Sequence, residues 1–109
     1  MIVAVEGDKV LLCASAGRRD VLLSCADAEK LVEALRVASR QAELGHPSLY
    51  RAEPWQCMVE SYDGLVALRF SRPAKRVPLP ALVARRLADH IEFKKQQAAY
   101  RMRFVFDRS

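Results

Sequence analysis

Only two histidines, three cysteines and four glycines occur in the 109 residues, and each scarcity closes off a class of function. His46 and His90 stand in no Ser/His/Asp or Cys/His order that would recommend a nucleophile and its base. Asp89 adjoins His90, but neighbouring residues on a helix point apart. Cys13, Cys25 and Cys57 form no C-x-x-C pair and no metal-ligand spacing. An odd set of this kind reads as free thiols that pack as small hydrophobes, which fits a reducing cytoplasm. The glycines are scattered, so there is no Walker loop and no G-x-G-x-x-G to cradle a phosphate. No apolar run approaches the roughly 18 residues of a membrane span. Met1-Ile2-Val3-Ala4-Val5-Glu6 lacks the basic start and long apolar stretch of a signal peptide. The expectation is a cytoplasmic protein that is not an enzyme, with no cofactor, no metal and no membrane partner.

What the chain does have is an internal repeat. Shifted by 56 positions without a gap, residues 3–42 fall on 59–98, and ten of those forty positions are identical. They include Val3/Val59, Val10/Val66, Leu12/Leu68, Val21/Val77, Leu23/Leu79, Ala28/Ala84 and Leu31/Leu87. Most are apolar and lie at structural periods, so the repeated object is a core. A unit of about fifty residues is marginal alone and is completed by its copy. The chain is therefore read as one domain, residues 1–109: a first repeat over 1–44, a linker over 45–54 bracketed by Pro47 and Pro54, and a second repeat over 55–109.

Each repeat reads as three strands and a helix. In the first, Ile2–Val5 and Val10–Ser15 flank a turn at Gly7, and a second turn over 16–20 leads into Val21–Leu23. Ser24 is the helix cap, with Asp27 in capping-box position, and the helix runs to about Leu44. Its apolar stripe is Ala28, Leu31, Val32, Leu35, Ala38 and Ala42. In the second repeat, Trp55–Tyr62 and Leu65–Phe70 flank Asp63-Gly64, a strong hairpin signal. A basic loop over 71–75 precedes a short strand, Arg76–Leu79, which Pro78 marks as an edge. Pro80 opens a second helix that buries Ala84, Leu87, Ala88, Ile91, Ala98 and Met102 and reaches about residue 103. Phe104-Val105-Phe106 then docks back or meets a partner. The fold class is α+β: two tandem βββα repeats with pseudo-twofold symmetry, an antiparallel sheet and two helices packed on it.

Strand alternation sorts the faces. Val3, Val10, Leu12, Val21 and Leu23, with Val59, Val66, Leu68, Val77 and Leu79, share the helix-covered side. On the other side the first repeat shows Ile2, Ala4, Leu11, Cys13 and Leu22, too apolar to face water, which makes a homodimer one way to cover it. The second repeat shows Gln56, Met58, Glu60, Leu65, Ala67, Arg69 and Arg76, a mixed surface that could lie open.

The charge is one-sided. The whole chain carries +5, yet residues 1–54 hold seven Lys/Arg against eight Asp/Glu and residues 55–109 hold eleven against five. Between Gly64 and Ala88 there is no acidic residue at all. That window carries Arg69, Arg72, Lys75, Arg76, Arg85 and Arg86, expected to form one patch that contacts phosphate. Phe70 and Trp55 lie near these cations, but both read as core. The leading expectation is a small nucleic-acid-binding protein, single-stranded DNA or RNA slightly favoured. The alternative is a protein-interaction module, a small regulator or inhibitor, docking on an acidic partner surface. The aromatic tail with Tyr100, Phe104 and Phe106 suits a dimer contact.

The order Asp63-Gly64-Leu65-Val66-Ala67-Leu68-Arg69-Phe70, a basic loop, Arg76-Val77-Pro78-Leu79-Pro80 and a helix resembles the strand–strand–helix end of the PC4, Pur-alpha and Whirly group. The resemblance covers about forty residues of the second repeat. It implies paired sheet-plus-helix units that bind single-stranded nucleic acid on their sheets. Units in that group have four strands, where three are legible here.

Overall fold

Period-2 apolar residues broken by tight turns, then a period-3.6 stripe, build strands followed by a helix in each part of the chain in the computed structural model. It describes residues 1–13, 21–45, 51–52, 57–71 and 74–108, with side chains described except at 51, 71, 74, 75 and 101–108. Strands β1 (Ile2–Glu6), β2 (Lys9–Cys13) and β3 (Val21–Leu23) precede helix α1 (Cys25–Glu43). Strands β4 (Arg51–Ala52), β5 (Cys57–Tyr62), β6 (Leu65–Ser71) and β7 (Ala74–Pro80) precede helix α2 (Ala81–Arg108). The class is α+β. The predicted turn over 16–20, Trp55–Gln56, both linker prolines and Arg72 lie outside the described residues.

Four details differ from the sequence reading. The strands form two antiparallel sheets, β1-β2-β3 and β4-β5-β6-β7, instead of one. The predicted linker contains a two-residue strand, in which Arg51 pairs with Glu60 and Ala52 with Val59, so the second sheet has four strands. Helix α2 continues through Phe104-Val105-Phe106 without a break. β7, predicted over four residues, spans seven and is an edge strand, as Pro78 requires.

The turns follow from single residues. Glu6 pairs with Lys9 across Gly7-Asp8, and Tyr62 pairs with Leu65 across Asp63-Gly64. Asp63 and Gly64 both have positive φ, 47° and 76°, the pattern of a two-residue turn whose twist matches its strands. A Cβ at Gly64 would touch nothing within 4 Å, so only backbone strain opposes a larger residue. Gly64→Ala is expected to cost about 1 kcal/mol, read as a lower urea midpoint with an unchanged slope. At the start of α1, the Asp27 N–H donates to Ser24 Oγ at 3.1 Å, the expected cap.

The faces were read correctly. Val3, Val10, Leu12, Val21, Leu23, Val59, Val66, Leu68 and Leu79 are buried and Val77 partly so, and Phe70 joins them. One apolar cluster unites both sheets and both helices. Ser39 is buried within it because its hydroxyl donates to the Leu35 carbonyl at 2.6 Å, which removes the penalty of an orphan polar group.

The helices are exchanged. α1 follows the first sheet in sequence but lies chiefly against β5 and β6 of the second, while α2 lies chiefly against β1 and β2 of the first. The two helices also pack extensively on each other. They run antiparallel: Cys25 of α1 is beside Lys95 of α2, Arg36 beside Asp89 and Glu43 beside Arg85. Each sheet is thereby closed by the other half's helix, and the two halves share their interior.

Candidate functional site

β5, β6 and β7 turn alternate residues away from the helices. In register these make three rows: Met58, Arg69 and Arg76; Glu60, Ala67 and Pro78; Tyr62, Leu65 and Pro80. Arg69 and Arg76 are directly opposite one another, a like-charge pair that opposes sheet formation by a few tenths to about 1 kcal/mol. Each guanidinium has a separate counterweight. Arg69 Nη1 lies 3.3 Å from Glu60 Oε1 on the neighbouring strand. Arg76 extends along the sheet to sit 4.2 Å from the centre of the Tyr62 ring, a cation–π contact. This pair bridges the strand carrying Ala67, a residue small enough to pass beneath, and Ala67 is fully buried although it faces away from both helices.

Glu60 corrects the reading of this face as simply open. Its side chain is 6% exposed, whereas that of its partner Arg69 is 44% exposed. The result is a low, ordered polar surface: two exposed guanidiniums, one sunken carboxylate, one half-buried phenol ring and Met58 at the margin. Chemically it can present flat cations to an anion and an aromatic face to another ring, and it offers no nucleophile–base pair. Tyr62 and Glu60 were missed as site residues. Period-2 alternation places them beside Arg69 and Arg76, and that was the signal available.

Of the other cations of the acid-free window, the described Arg85 lies elsewhere. Arg85 forms an ion pair with Glu43 near the end of α1 and lines an open cleft of about 280 Å³ with Arg36, Arg40 and Asp89. Arg36 pairs with Asp89 at 3.3 Å. This network joins the helices on the layer away from the arginine face. Arg86 is exposed on α2. Lys75 is opposite Phe70 in register, and its side chain and the whole of Arg72 lie outside the described residues. Of the six expected cations, Arg69 and Arg76 stand side by side, and Arg85 is held by a carboxylate from α1 that proximity in sequence could not reveal.

Other groups offer less. His90 is exposed on α2, and no group of three or more metal-ligating side chains occurs among the described residues. No helix among them is long and apolar enough to cross a membrane. All three cysteines are free. Burial pushes the Cys57 thiol up to about 12, so it holds almost no thiolate at neutral pH. Cys13 is also buried, while Cys25 is only partly so, with its Sγ 3.6 Å from the Asp8 carbonyl oxygen. A disulfide reagent at about pH 8 is expected to label Cys25 alone in the folded protein and all three thiols after denaturation; rapid labelling of Cys57 in the folded state would contradict its burial. Comparison with family models, curated proteins and solved structures finds no match to this chain.

Proposed function

We propose that the protein binds single-stranded nucleic acid on the outer face of β5, β6 and β7, non-enzymatically, with Arg69 and Arg76 on phosphate and Tyr62 as a stacking surface. The observation that carries this reading is the Arg76–Tyr62 pair beside Arg69. Cations next to an aromatic ring on an exposed sheet are the combination that follows a sugar–phosphate strand and takes an unpaired base. A base can replace the guanidinium on the Tyr62 ring, freeing Arg76 for phosphate. Arg85, held by Glu43 on the helix layer, then contributes through the field of the second half and not as a member of the same contact surface.

The architecture supports the same reading. The second unit has four strands before its helix, the number found in the PC4, Pur-alpha and Whirly units that its sequence resembles. The exchanged helices agree with two units related by a pseudo-twofold axis, as the internal repeat implies. The outer faces have diverged: the first sheet keeps Ile2, Ala4, Leu11 and Leu22, with Glu6 opposite Lys9 at one end, and the arginine pair is on the second.

Fluorescence anisotropy with single-stranded DNA, duplex DNA and RNA at two salt concentrations tests the proposal. Tightest binding to a single strand, weakening steeply with salt, is expected. No binding to any of the three at low salt rejects it and leaves the arginines to an acidic protein surface.

A further inference from the structure

We propose that β1 pairs with β1 of a second copy, antiparallel, about a twofold axis through Ala4, so that two three-stranded sheets join into one of six strands. The starting point is a comparison of the outer strands of the two sheets: β1 and β3 in the first, β4 and β7 in the second. β3 has three residues and β4 two. β7 contains Pro78 and Pro80, which have no N–H to give, and the cations Lys75 and Arg76. Shortness, proline and positive charge are the means by which an edge turns away a further strand. β1, Ile2-Val3-Ala4-Val5-Glu6, has none of them. It is five residues long, and its one charge lies at the end beside the turn.

The internal repeat shows what kind of element this edge takes. β1 aligns with β5, Val3 on Val59 and Ala4 on Glu60. Beside Val59 and Glu60 lies the antiparallel strand β4. Beside Val3 and Ala4, on the side away from β2, no strand occurs among the described residues. Burial records the difference. Ser61, next to the covered edge, is fully buried, whereas its equivalent Val5 faces the core and is left partly exposed. The backbone is set to receive a strand as well. A two-residue turn closes on a hydrogen-bonded pair, here Glu6 with Lys9, and such pairs alternate along an antiparallel ladder. Ile2, Ala4 and Glu6 therefore bond to β2, and the N–H and C=O groups of Val3 and Val5 point toward the open edge.

The occupant is a second copy because β1 is the one unguarded edge among the described strands and is complementary to itself. With Ala4 opposite the partner's Ala4, Val3 meets the partner's Val5 on the helix-covered side, and the outward backbone groups of both form hydrogen-bonded pairs twice over. Ile2 meets the partner's Glu6, so no like charges are opposed. On the outer side Ala4, Leu11 and Leu22 form one row in register. That row continues across the axis into the same three residues of the second copy. The joined sheet ends on β3 at both sides, too short to take another strand, so assembly closes at two. The arginine faces belong to the other sheets and stay open. One strand pair buries little area, so the dimer is weak and concentration-dependent.

Sedimentation velocity of the full chain across about 1–100 μM, the range of weak associations, is expected to show the mass rising from 12.3 kDa toward twice that value. Val5→Pro removes an N–H that β2 does not use, a change an edge strand tolerates, and should keep the circular dichroism intact. It deletes one ladder bond on each side of the axis and is expected to weaken dimerisation about 30-fold. Ala4→Lys and Ala4→Glu each set like charges opposite one another at the axis. Each alone is expected to dimerise several-fold more weakly than the unaltered chain, and an equal mixture of the two to regain dimerisation. A monomer at every concentration, a dimer unchanged by Val5→Pro, or a mixture that associates no better than the separate Ala4 variants would overturn the proposal.

Discussion

Leu68→Ala is expected to destabilise the chain by about 2–5 kcal/mol, and to do so in β1–β3 as much as in the strand that carries it. Leu68 is fully buried in the centre of β6, where α1 covers the second sheet. Truncation leaves a cavity beneath a helix that belongs in sequence to the first half. α1 is in turn packed along α2, which closes the first sheet. Loosening one sheet therefore loosens the helix pair and the other sheet with it. A domain of this size has on the order of 5–15 kcal/mol in total, so the loss is a large share. Amide exchange should show β1, β2 and β3 losing protection in step with β5, β6 and β7, with one urea transition at a lower midpoint. Two separate transitions, or full protection retained in β1–β3, would mean that the halves fold independently.

The second large effect concerns the arginine face. Arg76→Gln is expected to weaken single-strand binding by roughly 10-fold, and Arg69→Gln with Arg76→Gln by on the order of 100-fold, the equivalent of one and two charge-assisted contacts. The slope of log affinity against log salt should fall in magnitude by about 1.4 for the pair, because two phosphates lose their cations on a single strand. Arg76 makes the cleaner single variant. Its removal uncovers the Tyr62 ring, whereas removal of Arg69 takes the ion pair from the sunken Glu60 carboxylate and disturbs the sheet. Arg85→Gln is the internal control. It breaks the ion pair to Glu43 on the helix layer and should change the affinity far less than Arg76→Gln. Equal losses from Arg76→Gln and Arg85→Gln would point to a diffuse field in place of a contact surface.

Features set by neighbouring residues were legible before any coordinates. Gly7 and Asp63-Gly64 name their own turns, Ser24 its cap, and alternation in β1, β2, β5 and β6 sorts core from surface. Features set by distant residues were not. The repeat makes the apolar faces of the two sheets nearly interchangeable, since Val10, Leu12 and Leu23 match Val66, Leu68 and Leu79. Either helix stripe fits either sheet by that pattern, so nothing local says that the helices are exchanged. β4 has only two residues and exists through its pairing with Glu60 and Val59. Glu60 itself was placed on the right face by alternation, but its burial comes from Arg69 and the crowding of that face. The ion pair of Arg85 was hidden for the same reason: Arg85 lies in the basic window in sequence, but its carboxylate comes from α1, across the helix pair.

A nuclear magnetic resonance titration of the full chain with a short single-stranded oligonucleotide is the most direct test of where the protein works. Amide shifts concentrated at Met58, Glu60, Tyr62, Ala67, Arg69 and Arg76, with little change along α1 or at Ile2, Ala4 and Leu11, are the expected result. Shifts centred on the helix layer, or on the first sheet, would contradict the assignment of the arginine face as the binding surface.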